Sequence, residues 1–538
     1  GARTHTGKNK TKRGDFIMKK TIFGISLAAV IALSAGLLGA CAPQTPGDDD
    51  GNKPSEPQNY VMPTWSGNTN EGTGASTEVA VHDPSVFYDE ASKTYYAFGS
   101  HFAVASSSDL INWTQEVGDG SNEAAGQRVS QELYGEGVNW REVLAESVAI
   151  AGAGMPSTWA PDVVEHDGTY YMYVSLTQGF GKSRSVISRV SSTKPLGAKQ
   201  GDPYADEQVI ISSTGDGKAN CIDPELFYDK DGGLWMVYGS YFGGIYVLEL
   251  ENEGENWGLP KEGQGYGKLL WVGGSGTSGG QVVEGPFVFY NAETDYYYLM
   301  VTYGDLNYSY NMRVARSKNP DGPYEDVAGN QMASAYSDAF GNKIAGNFVM
   351  GDANGYAAIG HNSVVEKDGE FFVVAHVRRQ SSGEADHVSG GHNLYVFQLF
   401  FNEDGWPVMN PNRYANEKIG AGMTAEKLAG VYDVVVHSRG TDSGSATFVE
   451  SVPYTFLADG TVTDDASASV GTWTLDGYYV EITLSDGDWA GTYKGVAAPG
   501  WDSMYVNDPE TEAHAAFAFT AVSDAGRSLW AVGTFAAQ

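Results

Sequence analysis

Three acidic residues head short segments of one design: Asp83 in His82-Asp83-Pro84-Ser85, Asp223 in Ile222-Asp223-Pro224-Glu225, and Glu284 in Glu284-Gly285-Pro286. A pair of carboxyl groups can break an acetal C–O bond, one protonating the departing oxygen while the other activates water or attacks carbon. The acid of such a pair must hold its proton near the working pH, which burial or a neighbouring carboxylate achieves, and a third carboxylate suits that tuning. Taken singly, each Asp-Pro is an ordinary turn or strand start. Gathered together, like charges raise one another's pKa values, a costly arrangement for structure alone. A calcium site is the other chemistry open to such a cluster, but the sequence has no Asp-x-Asp-x-Asp loop and no His-x-x-x-His pair.

What would gather these residues is an internal repeat. Five segments share one plan of a Pro or small-residue turn, an alternating apolar strand, a polar turn and an aromatic strand. They start near His82, Trp159, Ile222, Glu284 and His361, and the return strands include Tyr95-Tyr96, Tyr170-Tyr171, Leu234-Trp235, Tyr296-Tyr297 and Phe371-Phe372. Asp-Gly and similar turns between short alternating strands are hairpin signals. Units of 60–80 residues with three or four such strands fit propeller blades, which bury their faces on their neighbours. The expected fold class is therefore all-β, a five-bladed β-propeller over residues 79–424. Aligned on Pro84, Pro161, Pro224, Pro286 and Asn362, the preceding residues are Asp83, Ala160, Asp223, Gly285 and His361, with Glu284 one place earlier and Asp162 one place after its proline. The first strand of each blade lines the axis, so these positions would meet at one end of it.

The flanking regions read differently. Residues 1–17 precede Met18 and look like an upstream or added segment; residues 18–41 combine Met18-Lys19-Lys20 with an apolar run ending in Leu38-Gly39-Ala40-Cys41. That pattern is expected to be a signal peptide cut before a lipidated Cys41, the rival being an uncleaved membrane anchor. Residues 42–78, rich in Pro, Asp, Gly and Ser, read as a disordered linker. Residues 425–538 show a new series of antiparallel strand signals, expected to form a small β-barrel. The Gly- and Ala-rich stretch from Gln115 to Pro156 is read as a long connection walling the cleft.

The net charge of −34, from 33 Lys+Arg against 67 Asp+Glu, excludes a nucleic-acid partner, which needs clustered cations, and disfavours a polyanionic substrate. Cys41 and Cys221, the two cysteines, sit in contexts too unlike for a disulfide.

Together the segments His82-Asp83-Pro84-Ser85, Thr158-Trp159-Ala160-Pro161-Asp162, Ile222-Asp223-Pro224-Glu225, Val283-Glu284-Gly285-Pro286, Gly360-His361-Asn362-Ser363 and Asn412-Arg413-Tyr414 resemble glycoside hydrolase family 43, within it the endo-1,5-α-L-arabinanases. The resemblance runs from about His82 to Asn416 and on into the C-terminal domain. It implies endo-hydrolysis of arabinan with inversion, Asp83 as general base, Glu284 as general acid and Asp223 as pKa modulator, the two working carboxyls roughly 6.5–9.5 Å apart. It also implies a mostly hydrated calcium ion held by His361, whose other reading is a hydrogen-bonded axial histidine without metal. Trp159 and His82 are candidate substrate contacts, Trp159 being equally readable as packing between blades. Asp162 would either bind substrate hydroxyls or pair with Arg378 or Arg379. The expected protein is a monomer outside the cytoplasm, anchored by lipid. Two alternatives stand beside it: an exo-acting β-xylosidase or α-L-arabinofuranosidase on the same propeller, and a non-catalytic glycan-binding lipoprotein.

Overall fold

A computed structural model describes residues 59–534 apart from 64–74, 77, 153, 216–218, 274–282, 382–387, 441–446, 486 and 504–514. Residues 1–17 and 18–41, with Cys41, lie outside the described residues, as does most of 42–78; the described part of the expected linker is ordered, Val61 bridging to Lys418 and Ala75–Ser76 pairing in blade 1. The five repeats form five sheets whose blade strands pair antiparallel in chain order; blade 1 adds Ala75–Ser76 at its outer edge, and the blade 5 sheet adds Phe348–Val349 with Val449–Glu450 parallel to it. The first two strands are Ser85–Asp89 and Thr94–Phe98 in blade 1, Trp159–His166 and Thr169–Thr177 in blade 2, and Glu225–Tyr228 and Leu234–Tyr238 in blade 3. Blade 4 opens with Glu284–Asn291 and Tyr296–Tyr303, and blade 5 with Tyr356–Lys367 and Glu370–Gln380. Two of the hairpins turn on Asp-Gly pairs, Asp167-Gly168 and Asp368-Gly369, all four residues having positive φ, as the twist of a two-residue hairpin requires.

Strand alternation explains why the blades pack into a ring. Neighbouring residues point to opposite faces, so Val373 joins the apolar cluster shared with blade 4 while Val374 joins the one shared with blade 1. Each of the five interfaces has its own buried cluster, between blades 1 and 2, 2 and 3, 3 and 4, 4 and 5, and 5 and 1. Cys221 is buried in the second of these.

The ring closes without strand exchange among the described residues. Ala75–Ser76 pairs with Trp113–Val117 inside blade 1, and no strand of blade 1 joins blade 5. The seam is held instead by Val79, Val81 and Val86 against Val365, Phe372 and Leu394, by Leu394 N–H donating to Val79 O at 3.0 Å, and by Ser363 Oγ donating to Pro84 O at 3.0 Å. Glu78 adds ion pairs to Arg379 and, at 3.3 Å, to Arg413.

The stretch from Gln115 to Pro156 is not the cleft wall its composition suggested. After the edge strand Trp113–Val117 it folds as helices Glu123–Tyr134, Trp140–Val143 and Ala145–Ala151. Asn122 caps the first by accepting from Ala125 N–H at 2.9 Å. Val129, Leu133, Trp140 and Leu144 are buried against blades 1 and 2, and none of these residues reaches the cleft.

From Gly430–Val436 to Ser528–Thr534, eight antiparallel strands form a closed barrel, the last pairing with the first. Its interior is filled by Tyr432, Phe456, Trp473 and Phe519. One wall is buried on blades 4 and 5. Trp530 is fully buried and packs edge-on against Phe348 at 4.9 Å, Tyr356 OH donates to Ser503 O at 3.1 Å, and Arg439 pairs with buried Asp326 at 2.6 Å. Truncating a tryptophan buried this way typically costs about 3–5 kcal/mol, so the barrel is structurally continuous with the propeller.

Candidate active site

Four of the five axial residues share one unusual backbone state. Asp83, Asp223, Gly285 and His361 have φ of 53°, 56°, 55° and 45°. For a side-chain-bearing residue the left-handed region costs roughly 1–2 kcal/mol, and here it accompanies an irregularity at the strand start. In blades 2, 4 and 5 the register breaks just past Trp159, Glu284 and Gly360. The shared φ places Gly285 in the slot of Asp83, Asp223 and His361, which leaves Glu284 one residue earlier, level with His82 and Trp159. Glycine is required in blade 4 because a Cβ at residue 285 would stand 2.9 Å from His361 Cγ.

Each axial residue is tied to the preceding blade. Ala160 N–H donates to Ser100 Oγ at 2.7 Å, Asp223 N–H to Ser175 Oγ at 3.0 Å, His361 N–H to Thr302 Oγ1 at 2.8 Å, and Asp83 N–H to His376 Nδ1 at 3.1 Å. In blade 4 the pattern changes: Ser240 Oγ donates to the Glu284 carboxylate at 2.8 Å, and Gly285 N–H goes to Asp223 Oδ2 at 3.3 Å.

The result is a cleft of about 340 Å³ lined by Asp83, Asp223, Glu284, His361, His82 and Trp159, among others. Asp83 Oδ2 accepts from Ser100 Oγ at 2.6 Å, and its Oδ1 lies 3.1 Å from His361 Nδ1. His361 sits between Asp83 and Gly285, separating the base candidate from the acid candidate. Tyr310 OH donates to the other oxygen of Glu284. Gly360 makes room for this, since a Cβ there would lie 2.9 Å from Tyr310 Cδ2.

These surroundings drive the carboxyls apart in acidity. Burial would raise Asp83, but the charge and hydrogen bond of His361, with His82 and His376, hold it well below the usual carboxylate range. Burial pushes Asp223 up to about 7, helped by Glu284 and Asp83 and opposed by His361. Burial also raises Glu284, against the lowering effect of Tyr310 and Ser240. His361 would be lowered by burial, yet the three carboxylates lift it to about 9, so it is an imidazolium at neutral pH.

Two aromatic rings flank this centre. Trp159 lines the cleft and meets Phe180, 79% exposed, at 4.8 Å between centroids. A ring pair in a cleft, Phe180 exposed and Trp159 half-buried, offers flat apolar faces for a partner with its own apolar face, as a sugar ring has. Phe180, Tyr310, Ser100 and Ser240 were not anticipated from sequence; a lone aromatic in Gly179-Phe180-Gly181 was the one local hint.

Asp162 requires a correction. It does not line the cleft and pairs with neither arginine. It is buried between blades, Oδ1 accepting from Ser85 Oγ at 2.6 Å and Oδ2 from Leu226 N–H at 2.8 Å. The register shift between Trp159 and Asp162 turns its side chain into the blade interface, where burial lifts its pKa to about 6. Arg378 instead donates to Asn307 O and Gly390 O, and Arg379 to Tyr395 OH and Glu78.

For a cation, His361 has one ring nitrogen committed to Asp83, leaving Nε2, which can hold a metal only once its proton is displaced. One nitrogen beside three carboxylates suits a divalent ion that keeps most of its water. A second group, His82, His376 and His392, brings ring nitrogens within 4.8 Å of one another. There the rings of His82 and His392 stack at 4.2 Å and 13°, so their in-plane lone pairs run side by side and do not converge on one ion.

Carboxyl groups of opposed acidity gathered in one cleft of a propeller, beside Trp159 and the exposed ring of Phe180, fit a glycoside hydrolase. The sequence profile of "Glycosyl hydrolases family 43" matches residues 137–407, and that of a "C-terminal lipocalin-like domain" matches residues 411–531. An extracellular endo-α-(1→5)-L-arabinanase of Thermotoga petrophila is 35% identical over 84% of this chain and 93% of its own length. A second from Bacillus subtilis is 34% identical over 84% of this chain and 92% of its own. The crystal structure of an endo-1,5-α-L-arabinanase from Thermotoga petrophila superposes with a TM-score of 0.72 at 34% identity, covering 85% of this chain and 99% of that one. The chain belongs to glycosyl hydrolase family 43.

Removing the Tyr310 hydroxyl tests the electrostatics directly. Its hydrogen bond lowers the Glu284 pKa while burial raises it, so Tyr310→Phe leaves burial unopposed by that bond and moves the Glu284 titration upward. The pH dependence of kcat/KM or carboxyl ¹³C shifts would read this; a downward or absent shift contradicts the assignment.

Proposed function

We propose that this chain hydrolyses 1,5-α-L-arabinofuranosidic bonds inside arabinan chains by single displacement, with Asp83 as general base, Glu284 as general acid and Asp223 tuning and orienting the acid. The observation that carries the roles is the opposed shift of two carboxyls on either side of His361: Asp83 is held ionised and Glu284 is pushed toward its protonated form. Carboxyls driven apart in this way divide into a base and an acid. Water attacks the anomeric carbon and yields its proton to Asp83, while Glu284 gives its proton to the departing ring-chain oxygen. Asp223 accepts the amide of Gly285 and is itself lifted to about 7 with Glu284 contributing, so the two carboxyls oppose each other's ionisation. His82, neutral because burial lowers it to about 3, stands 3.3 Å from Asp83 Oδ1. An anionic cleft favours a neutral polymer, and Trp159 with Phe180 supplies apolar faces for its sugars. Endo action on arabinan is supported by the two relatives that share most of this chain's length and carry that activity in their names.

Every group named comes from one chain, in keeping with a monomer. A calcium ion on His361, when bound, would add positive charge beside the reacting bond. The names of the same relatives support a place outside the cytoplasm, and Leu38-Gly39-Ala40-Cys41 supports a lipid anchor on Cys41.

Early digestion products of linear debranched arabinan should be mixed oligosaccharides, with no action on xylan; release of arabinose alone, or cleavage of xylan alone, overturns the reading. Asp83→Asn and Glu284→Gln should each lose about 10²–10⁴-fold in kcat with the fold intact by circular dichroism. Chelation with EDTA should lower activity and added calcium restore it, whereas full activity in a preparation shown metal-free by mass spectrometry removes calcium from the site. Expressed with its leader in a bacterium, the chain should incorporate labelled fatty acid, and Cys41→Ala should abolish the label; an unlabelled parent chain refutes the anchor.

A further inference from the structure

The ties between blades use a hydroxyl four times: Ser100, Ser175, Ser240 and Thr302. At the fifth, where blade 5 meets blade 1, the same position holds His376. Register supports the equivalence, since Trp159 pairs with Ser175, Glu284 with Thr302 and Gly360 with His376. His376 is fully buried. Its Nδ1 accepts the Asp83 N–H at 3.1 Å and lies 3.5 Å from Asp83 Oδ1. Its ring stacks on Tyr310 at 5.5 Å and 17°, the residue whose hydroxyl donates to Glu284. One side chain thus touches the backbone of the base and the ring that supports the acid.

We propose that His376 is a positioning residue: a neutral imidazole that fixes the left-handed backbone of Asp83, and through it the carboxylate, at the seam of the ring. The inference rests on Asp83 being the base. An imidazole suits this position better than the hydroxyl of the other blades for a chemical reason. A hydroxyl carries a rotatable proton and could donate it to the Asp83 carboxylate, as Ser100 already does, dulling the base. With Nδ1 accepting an amide, the one proton of neutral His376 is on Nε2, turned away from Asp83. The groups around the ring are His82, His392, Asp83, His361 and Tyr310. Burial and the neighbouring histidines keep it uncharged.

The test compares His376→Asn, whose Oδ1 can accept where Nδ1 does, with His376→Leu, similar in bulk but without an acceptor. Both are made in the full chain and assayed on linear arabinan at one pH, with Tm recorded. His376→Leu should lower kcat about 10–100-fold, the scale of a misplaced reacting group, with KM little changed. His376→Asn should recover most of kcat. Ser363→Ala, which cuts another bond across the same seam, should lower Tm and leave kcat close to parental. If His376→Leu does not fold, His376→Gln takes its place, being polar but carrying its acceptor one bond farther out. Parental kcat in the Leu or Gln variant overturns the proposal. So does an Asn variant as impaired as the Leu variant, which marks a merely structural role. Asp83→Asn separates the two readings: activity there removes the base itself, whereas an inactive Asp83→Asn beside a normal His376→Leu removes only His376.

Discussion

A strand that begins with an ordinary extended residue would point its first side chain into the blade stack. Here the chain is forced into the left-handed region at Asp83, Asp223, Gly285 and His361, and the side chains turn toward the axis. The cost is met by the preceding blade, whose hydroxyl, imidazole or, for Gly285, carboxylate accepts the amide exposed at the kink. That exchange is what couples site to fold. The kinks persist only while the ring is shut, because the acceptors belong to the neighbours. Blade packing therefore fixes the catalytic geometry as well as stability, while the turns after the second strands supply Ser100, Ser240 and Tyr310 to the carboxyls.

Within that frame the centre is an exercise in dividing charge. Three carboxyls surround one imidazolium. The hydrogen bonds and charges around Asp83 favour its ionised form, while burial dominates at Glu284 and Asp223. The same low-dielectric surroundings act on all three; what differs is contact with His361, direct for Asp83 and indirect for the others. Gly285 is central to this difference. Its missing Cβ lets the imidazole pass close by, and its amide binds Asp223 rather than a hydroxyl of blade 3.

Much of this was legible beforehand because the propeller is periodic. The alignment on proline residues assigned Asp83, Asp223, Gly285 and His361 to one slot, and their common φ bears that out. Strand alternation and Asp-Gly turns gave the five blades, and the later strand series gave the barrel. What was hidden depended on contacts between blades. Tyr310, Ser240 and His376 belong to second strands or the turns after them, where nothing in the local pattern tells a residue facing the axis from one packed in the core. Asp162 misled because a single irregularity in register reverses the face on which a side chain lies. The helices between Glu123 and Ala151 were masked by Gly and Ala, which fit a loop as well as a helix packed closely on strands.

The seam between blades 5 and 1 gives the molecule a weak point of a particular kind. A propeller latched by a shared strand can part there only by tearing a sheet. This one, by its described residues, is latched by side chains, a few hydrogen bonds and the ion pairs of Glu78. Asp83, the proposed base, lies on the latch itself. A molecule whose ring has sprung at that point would keep its blades, its barrel and the ring pair of Trp159 and Phe180, yet would lose the geometry around Asp83. Inactivation by heat or denaturant should then begin as an opening of the ring at one hinge, with loss of turnover running ahead of any loss of secondary structure.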